Sequence, residues 1–319
     1  MSDVMFVSVI IPAYNSASVI SGCIRSLLDQ EYPKEDYEII IVDDGSTDNT
    51  KDVVSAFRGV RFIPQPHAGP ATARNLGASH AKGDIILFTD ADCIPDSDWI
   101  KRMVEPFSAP GVAGVSGTYR TLNSGNLIAR FVGYEIAHRH ARMSRFDSID
   151  FIGTAYAGYR KDVFEKFGGF DTGFSTSSGE DPDLSFRIAA AGHRMVFSPD
   201  AVVAHRHPES FRAYLSQKFW RAYWRVRLYG KHPSKIGGES YTPPLLIPQA
   251  ALTAAAVPAI IVAPLIGVSF LLLAIAVNLP FYAFVARREF VAGLASVPIT
   301  LMRNLAFAAG AAAGLLRLR

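Results

Sequence analysis

Asp90 and Asp92, one residue apart, close the stretch Gly83-Asp84-Ile85-Ile86-Leu87-Phe88-Thr89-Asp90-Ala91-Asp92. Four apolar residues after a Gly-Asp turn predict a buried strand, Ile85 to Phe88, that runs out into a loop at the two carboxylates. A loop can turn both onto one hard cation. In open parallel α/β sheets, ligands bind beyond the carboxyl ends of the strands. An Asp-x-Asp at such an end is suited to hold a divalent metal and, through it, a diphosphate. Taken alone, the triplet reads equally as a polar turn after a strand.

The elements around it decide between the two. Val7 to Pro12 is a second apolar strand, running into Ala13, Tyr14 and Asn15, and Glu38 to Val42 is a third, ending in Asp43, Asp44 and a Gly45 turn. Between them Val19, Ile20, Ile24, Leu27 and Leu28 recur at helical spacing. A helix over Asp48–Phe57, a short strand over Val60–Ile63 and a helix over Pro70–Ala81 complete the order up to Ile85. Strands alternating with helices predict a parallel sheet of βαβ units. Three strand ends, bearing Tyr14, Asp43 with Asp44, and Asp90 with Asp92, then converge on one edge.

These segments resemble a family. "VSVIIPAYNS", "IIIVDDGSTDNT", "GPATARNLGASHAKGDIILFTDADC" and "FGGFDTGFSTSSGEDPDLSFRIAAAG" stand in the order found in family 2 glycosyltransferases of GT-A fold, across roughly residues 6 to 205. The chain is most similar to membrane-anchored bacterial or archaeal members that build cell-surface polysaccharides or glycolipids. The resemblance implies an α/β, Rossmann-like, mostly parallel catalytic domain. It also implies a nucleotide-sugar donor whose leaving diphosphate is stabilised by Mg²⁺ or Mn²⁺ at Asp92. Asp90 then approaches the ribose or assists through the metal's water. Pro12, Ala13, Tyr14, Asp43 and Asp44 are similar to positions that cradle the nucleoside; a carboxylate accepting the imide N–H favours uracil. Arg74 meets the nucleotide or a site carboxylate.

A second constellation is Gly179-Glu180-Asp181-Pro182-Asp183-Leu184. Pro182 is expected to open a helix, with Asp181 near its N-cap. Asp181 resembles the family's general base, which takes a proton from the acceptor hydroxyl during one in-line, inverting displacement; an N-cap is the competing role. Glu180 is assigned to acceptor hydroxyls and Asp183 to the helix N-terminus. "FIGTAYAGYRKDVFEKFGGF" resembles the acceptor-side segment, which makes Gly158 an acceptor-side position. His205 follows the strand Ala201–Ala204, as a third metal ligand or a diphosphate contact.

The rest of the chain points to a bilayer. From Ser240 to Ala286 there is no charged residue, room for two helices of ~20 residues, cut at Leu245–Ala263 and Leu265–Val285. A further apolar stretch, Phe290 to Leu316, is broken by Arg303. An arginine in mid-membrane costs ~2.5–3.5 kcal/mol on insertion scales, so the stretch reads as a third span with a partnered Arg303 or as two interfacial helices on either side of Arg303-Asn304; the second is preferred because the Ala-rich "AFAAGAAAGLL" is a weak span on its own. Lys231 and Lys235 before the hairpin, and Arg287 and Arg288 after it, place both flanks in the cytoplasm. Val4 to Ile11 is short, lacks a basic lead and is needed as a strand, so no signal peptide is expected. Two cysteines, Cys23 and Cys93, fit a reducing compartment. Between Asp200 and Lys235, eight Lys/Arg against two acids interleave with Phe211, Trp220, Trp224 and Tyr229. Beside a hairpin, this reads as an interfacial helix on anionic lipid rather than a nucleic-acid surface. A second basic patch runs from Arg130 to Arg145.

The expected organisation is a catalytic domain over 1–205, a basic and aromatic linker over 206–240 and a membrane region over 241–319. Its partners would be a nucleotide sugar, expected to be a UDP-sugar, a lipid-linked or polysaccharide-precursor acceptor, and membrane lipid. A polyprenyl-phosphate glycosyltransferase is the alternative enzyme; its acceptor is already an anion, so Glu180-Asp181 counts against it. A nucleotidyltransferase would want a Gly-rich phosphate loop that "PAYNSAS" does not supply. A non-catalytic membrane protein that binds sugar nucleotides has no use for so many acidic strand ends.

Overall fold

A computed structural model describes residues 5–174 and 179–317. In chain order it begins β1 (Val7–Ala13), α1 (Ile20–Leu28), β2 (Tyr37–Asp43), α2 (Thr50–Ser55), β3 (Val60–Pro64), α3 (Pro70–His80) and β4 (Ile85–Phe88). There follow β5 (Cys93–Pro95), α4 (Trp99–Val104), β6 (Val112–Thr121), α5 (Leu127–Met143), β7 (Ala157–Arg160), α6 (Lys161–Lys166), α7 (Glu180–Ala190) and β8 (Arg194–His205). The C-terminal part is helical: α8 (Phe211–Lys231), α9 (Leu246–Val262), α10 (Pro264–Val277), α11 (Leu279–Ala286) and α12 (Phe290–Arg317). The chain divides into one unit of Met1–Leu122 and Met143–Arg206, and a second of Asn123–Arg142 and His207–Arg319.

The first unit is built on an eight-stranded sheet of order β3-β2-β1-β4-β7-β6-β8-β5. The strands β3, β2, β1 and β4 are parallel, as the alternating pattern predicts. Val7, Val9, Ile10 and Ile11 are all buried, an apolar run interrupted by Ser8, as in a strand covered on both faces. In register, Ala13 stands beside Asp43 and Ile10 beside Phe88, so β1, β2 and β4 end at one edge. Helix α3 packs against β1 and β2 through Gly77, where any Cβ would collide with the Ile10 side chain. That close approach carries Arg74 toward the same edge. The other half of the sheet is mixed: β7 pairs antiparallel with β4 and β6, while β8 runs parallel to β6.

The second unit buries polar and charged side chains alongside an apolar cluster that includes Phe131, Phe281 and Ile299. Its covered positions include Glu135 of α5, Lys218 of α8, Gln249 and Thr253 of α9, and Arg303 and Asn304 of α12. Glu135 accepts from Lys218 Nζ and Arg303 Nη1, each at 2.8 Å. Arg303 Nη2 donates to Gln249 Oε1 at 2.8 Å, and Asn304 Nδ2 to Thr253 Oγ1 at 3.1 Å. Burial alone would push the Glu135 carboxyl up; Lys218, Arg303 and Arg139 outweigh it and hold it well below the usual carboxylate range.

Two sequence expectations change here. Phe290 to Leu316 is one continuous helix rather than two, because Arg303 finds Glu135 and Gln249 and need not leave it. The uncharged run turns at Ala263 as expected, but α9 has 17 residues and α10 has 14, and α10 meets α11 at a 53° bend. Among the described residues, α12 is the one helix long and apolar enough by itself to cross a membrane.

Candidate active site

The loops after β1 and β2 are laced to each other. Asp44 N donates to Ala13 O at 2.8 Å. Asn15, left-handed at φ 48, accepts on Oδ1 from Thr47 N at 2.8 Å, and its own N–H donates to Ser46 Oγ at 2.9 Å. Gly45 turns at φ 75, where a Cβ would lie 2.8 Å from His67 N. This framework fixes the floor and one wall of a cavity of about 390 Å³, within the range of ligand sites. Pro12, Ala13, Tyr14, Asp44, His67, Arg74, Asp90 and Asp92 are among its lining residues.

Adjacent acids divide the work. The Asp44 carboxylate accepts from Ala68 N at 2.8 Å and Gly69 N at 2.9 Å, with His67 Nδ1 also 2.9 Å away. It therefore holds the loop leading into α3. The buried Asp43 Oδ1 has no hydrogen-bond partner among the described residues, the condition of a group kept for a ligand's N–H. Tyr14 is 47% exposed, and its ring stacks on His67 with centroids 4.2 Å apart. His67 was not singled out from sequence; its only signal there is an aromatic ring just before the Ala68-Gly69-Pro70 start of α3.

Arg74, 2% exposed, is the hinge of the site. Its Nη2 donates to Asp90 Oδ1 at 2.8 Å and its Nη1 to Glu180 Oε1 at 3.1 Å. One guanidinium thus ties the strand end of β4 to the first turn of α7. Glu180 is buried and also accepts from Gly179 N at 3.0 Å, so its carboxylate faces Arg74 and its own helix start. Asp181 is half-buried, and close enough for its charge to act on Arg74 and Tyr159. Helix α7 begins at Glu180 with Gly179 as its cap, earlier than Pro182, so Asp181 is not the capping residue. Asp183 is buried against Arg187 Nε at 2.9 Å, and Arg187 in turn donates to Gly169 O at 2.7 Å, fixing the Gly168-Gly169 turn. Residues 175–178 of the matching stretch lie outside the described residues.

Asp92 and His205 are brought together by β5, a strand the sequence did not announce. Cys93 pairs with His205 across β5 and β8, leaving Asp92 Oδ2 3.4 Å from His205 Nε2. Burial would raise the Asp92 carboxyl, but the His205 hydrogen bond and charge outweigh that and hold it below the usual range. A carboxylate and an imidazole are a donor set that suits a divalent ion. The sulfur of Cys93 also lies within 4.8 Å of both ligand atoms, but sulfur is a soft donor and suits a hard cation poorly. Gly158 is not brought to this edge. It lies inside β7, and the space of its missing side chain is filled by Leu87 and Met103.

A mostly parallel sheet with helices on it, ending in carboxylates beside a cavity of nucleotide size, defines a GT-A type glycosyltransferase domain. The chain belongs to the Glycosyl transferase family 2, which its residues 8–168 match. It is 32% identical over 211 residues to glycosyltransferase AglE of Haloferax volcanii, covering 64% of this chain and 68% of that protein. It is 31% identical over 256 residues to the pre-mycofactocin glycosyltransferase of Mycobacterium tuberculosis, covering 78% of this chain and 51% of that one. The chain thus spans about half the length of the mycobacterial relatives. Among solved structures, the mannosyltransferase PcManGT from Pyrobaculum calidifontis, in complex with GDP-Man and Mn²⁺, superposes with a TM-score of 0.66 at 24% identity. That likeness covers 100% of this chain and 89% of that one, and is one of fold.

Proposed function

We propose that the protein is an inverting, metal-dependent glycosyltransferase. It moves a sugar from a nucleoside diphosphate sugar, a UDP-sugar first, to a hydroxyl of a lipid-linked or polysaccharide-precursor acceptor at the cytoplasmic membrane face. The observation that carries this reading is the Arg74 bridge, which joins Asp90 to Glu180 and so sets the donor carboxylates beside the helix of Asp181. Tyr14 offers its exposed ring to the base, and Asp43 its unpartnered oxygen to an imide N–H. Asp92 and His205 hold the metal, with Asp90 beside them; when bound, the ion supplies Lewis-acid neutralisation of the leaving diphosphate. Asp181 accepts the acceptor's hydroxyl proton as that oxygen bonds to the anomeric carbon and the bond to the diphosphate breaks. Membrane association is supported by the apolar helices of the second unit, and the cytoplasmic orientation by Lys231, Lys235, Arg287 and Arg288 on the flanks.

The test is a donor-hydrolysis screen of UDP- and GDP-sugars with the detergent-purified full chain, followed by transfer to membrane-extracted acceptor by the wild type and Asp181→Asn. The variant is expected to bind donor normally while kcat falls about 10²–10⁴-fold, the scale of general base catalysis. Wild-type turnover by Asp181→Asn on a lipid-phosphate acceptor would replace this reading with the polyprenyl-phosphate one.

A further inference from the structure

We infer that the second unit is a monotopic anchor: the α9–α10 hairpin enters one leaflet of a phospholipid bilayer and turns back inside it, while α12 lies along the membrane surface. This rests on the membrane association proposed above and refines it.

The hairpin tip is the first reason. Ile261 to Leu265 carries no polar side chain, and Ile261, Val262 and Leu265 are 81%, 86% and 85% exposed. A hairpin that crossed the bilayer would end among headgroups and water, where an entirely apolar tip is unfavourable. Depth is the second. Gln249 and Thr253 of α9 bind the Arg303-Asn304 pair, and that cluster includes the charged groups of Glu135 and Lys218. Charged groups are costly at the bilayer centre and rare there even when paired, which favours a position for the cluster toward the headgroups. From Thr253 to Val262 the helix advances roughly 14 Å at ~1.5 Å per residue, about half of a ~30 Å hydrocarbon core. The hairpin runs out near the midplane.

Helix α12 supplies the third reason. It is long enough to cross, but its two sides differ. Val291, Leu294, Pro298, Met302, Ala309 and Leu316 recur at helical spacing on the exposed side. Ser296, Thr300, Arg303 and Asn304 are on the covered side. That covered side runs along α8: a Cβ at Gly310 would collide with Phe219 O, and one at Gly314 would lie 2.7 Å from Tyr223 O. Arg212 and Arg221 of α8, by this register level with the middle and the last turns of α12, would be pulled toward hydrocarbon by a spanning α12. A helix lying in the surface plane keeps those cations at the headgroups and gives its apolar stripe to lipid.

The test uses the full chain in proteoliposomes of phosphatidylethanolamine and phosphatidylglycerol. Flotation is measured first. A nitroxide is then placed by Val262→Cys at the tip and, separately, by Met302→Cys at the middle of α12; the native Cys23 and Cys93 are buried and spared. The tip label is expected to relax with oxygen and not with a water-soluble nickel chelate, and the Met302→Cys label to report a depth near the headgroups; a Met302→Cys label at the bilayer centre overturns the surface placement of α12. A membrane-impermeant maleimide, outside or enclosed in the lumen, is expected to modify Val262→Cys only after detergent is added. Leu265→Cys repeats the measurement if the first variant is poorly folded. Reaction of the tip from either aqueous side overturns the inference. A protein that floats but reacts at its tip across the bilayer refutes only the monotopic topology; one that does not float refutes the membrane reading as well.

Discussion

Replacing Arg74 by lysine tests the centre of the proposed site. The guanidinium spans two carboxylates, Asp90 at 2.8 Å and Glu180 at 3.1 Å, while only 2% exposed. Lysine keeps the charge but presents one ammonium in place of a planar fork, so it can serve one of the two acids and not both. A hydrogen bond between charged partners contributes about 1.5–3 kcal/mol, and the abandoned carboxylate also bears its own desolvation cost. If the bridge aligns donor and base, that energy is missing from the transition state, and kcat/KM falls about 10–150-fold. Glu180, at 1% exposure, is the acid that loses most when left alone. Arg74→Lys, Glu180→Gln and the double variant should therefore show a coupling of at least about 0.5 kcal/mol, as expected for groups in contact. The assay is initial-rate transfer of radiolabelled sugar, with thermal melting to establish that each variant is folded. A folded Arg74→Lys enzyme within about twofold of wild-type kcat/KM, or strictly additive effects, would refute the alignment role.

Three further outcomes follow from the geometry. Tyr14→Ala should weaken donor binding by about 1–3 kcal/mol, the worth of stacking one base on an aromatic ring, read as nucleotide Kd by calorimetry; unchanged affinity would remove Tyr14 from the base site. EDTA should abolish transfer and Mn²⁺ or Mg²⁺ restore it, while Asp92→Asn should cost at least ~3 kcal/mol of transition-state stabilisation; full activity of the chelated enzyme would sink the metal role. His140 is buried, and burial followed by the Arg139 charge pushes its pKa down to about 3. The unfolded chain therefore takes up a proton that the folded one refuses, so the stability present above pH ~6.5 is lost as pH falls toward 3, by about 2 kcal/mol at pH 5. Melting curves at pH 7.5 and 5 should show that loss in the wild type and a smaller one in His140→Leu; equal slopes would contradict it.

The parallel half of the first unit was legible because its signal is local. Ile85 to Phe88 is a strand in sequence and in structure, and the ends of β1, β2 and β4 meet as their apolar runs predict. Much of the rest depends on partners that no local pattern names. Strand β5 is Cys93–Pro95 alone, too short for any periodicity, and is a strand only because β8 lies beside it. Asp43 and Asp44 are chemically identical in sequence; the amides of Ala68 and Gly69 engage one and leave the other's oxygen unpartnered. Gly158 looked like a binding-segment glycine, yet its lack of a side chain answers Leu87 and Met103 in the core. For Asp181 an N-cap role competes with the general base because Pro182 suggests a helix start, but the helix starts earlier, at Glu180.

At Arg303 the structure takes the partnered arrangement that the sequence leaves open and keeps the helix unbroken, for a general reason. A cation in an apolar run has three resolutions: the helix breaks, the cation snorkels to water, or an anion meets it inside the protein. Sequence spacing gives the cost of leaving arginine unpaired but not the position of Glu135, 168 residues away in sequence. Once Glu135 is beside it, shared with Lys218, the polar side of α12 becomes its protein-facing side. Ile299 and Phe307 share that covered side, while Val291, Leu294 and Met302 are exposed, an exposure that the proposed bilayer makes favourable. Glu135→Leu would reverse the logic: it leaves Lys218 and Arg303 buried without their shared anion, a loss on the order of 3–5 kcal/mol, and returns to α12 the very break that its sequence suggests.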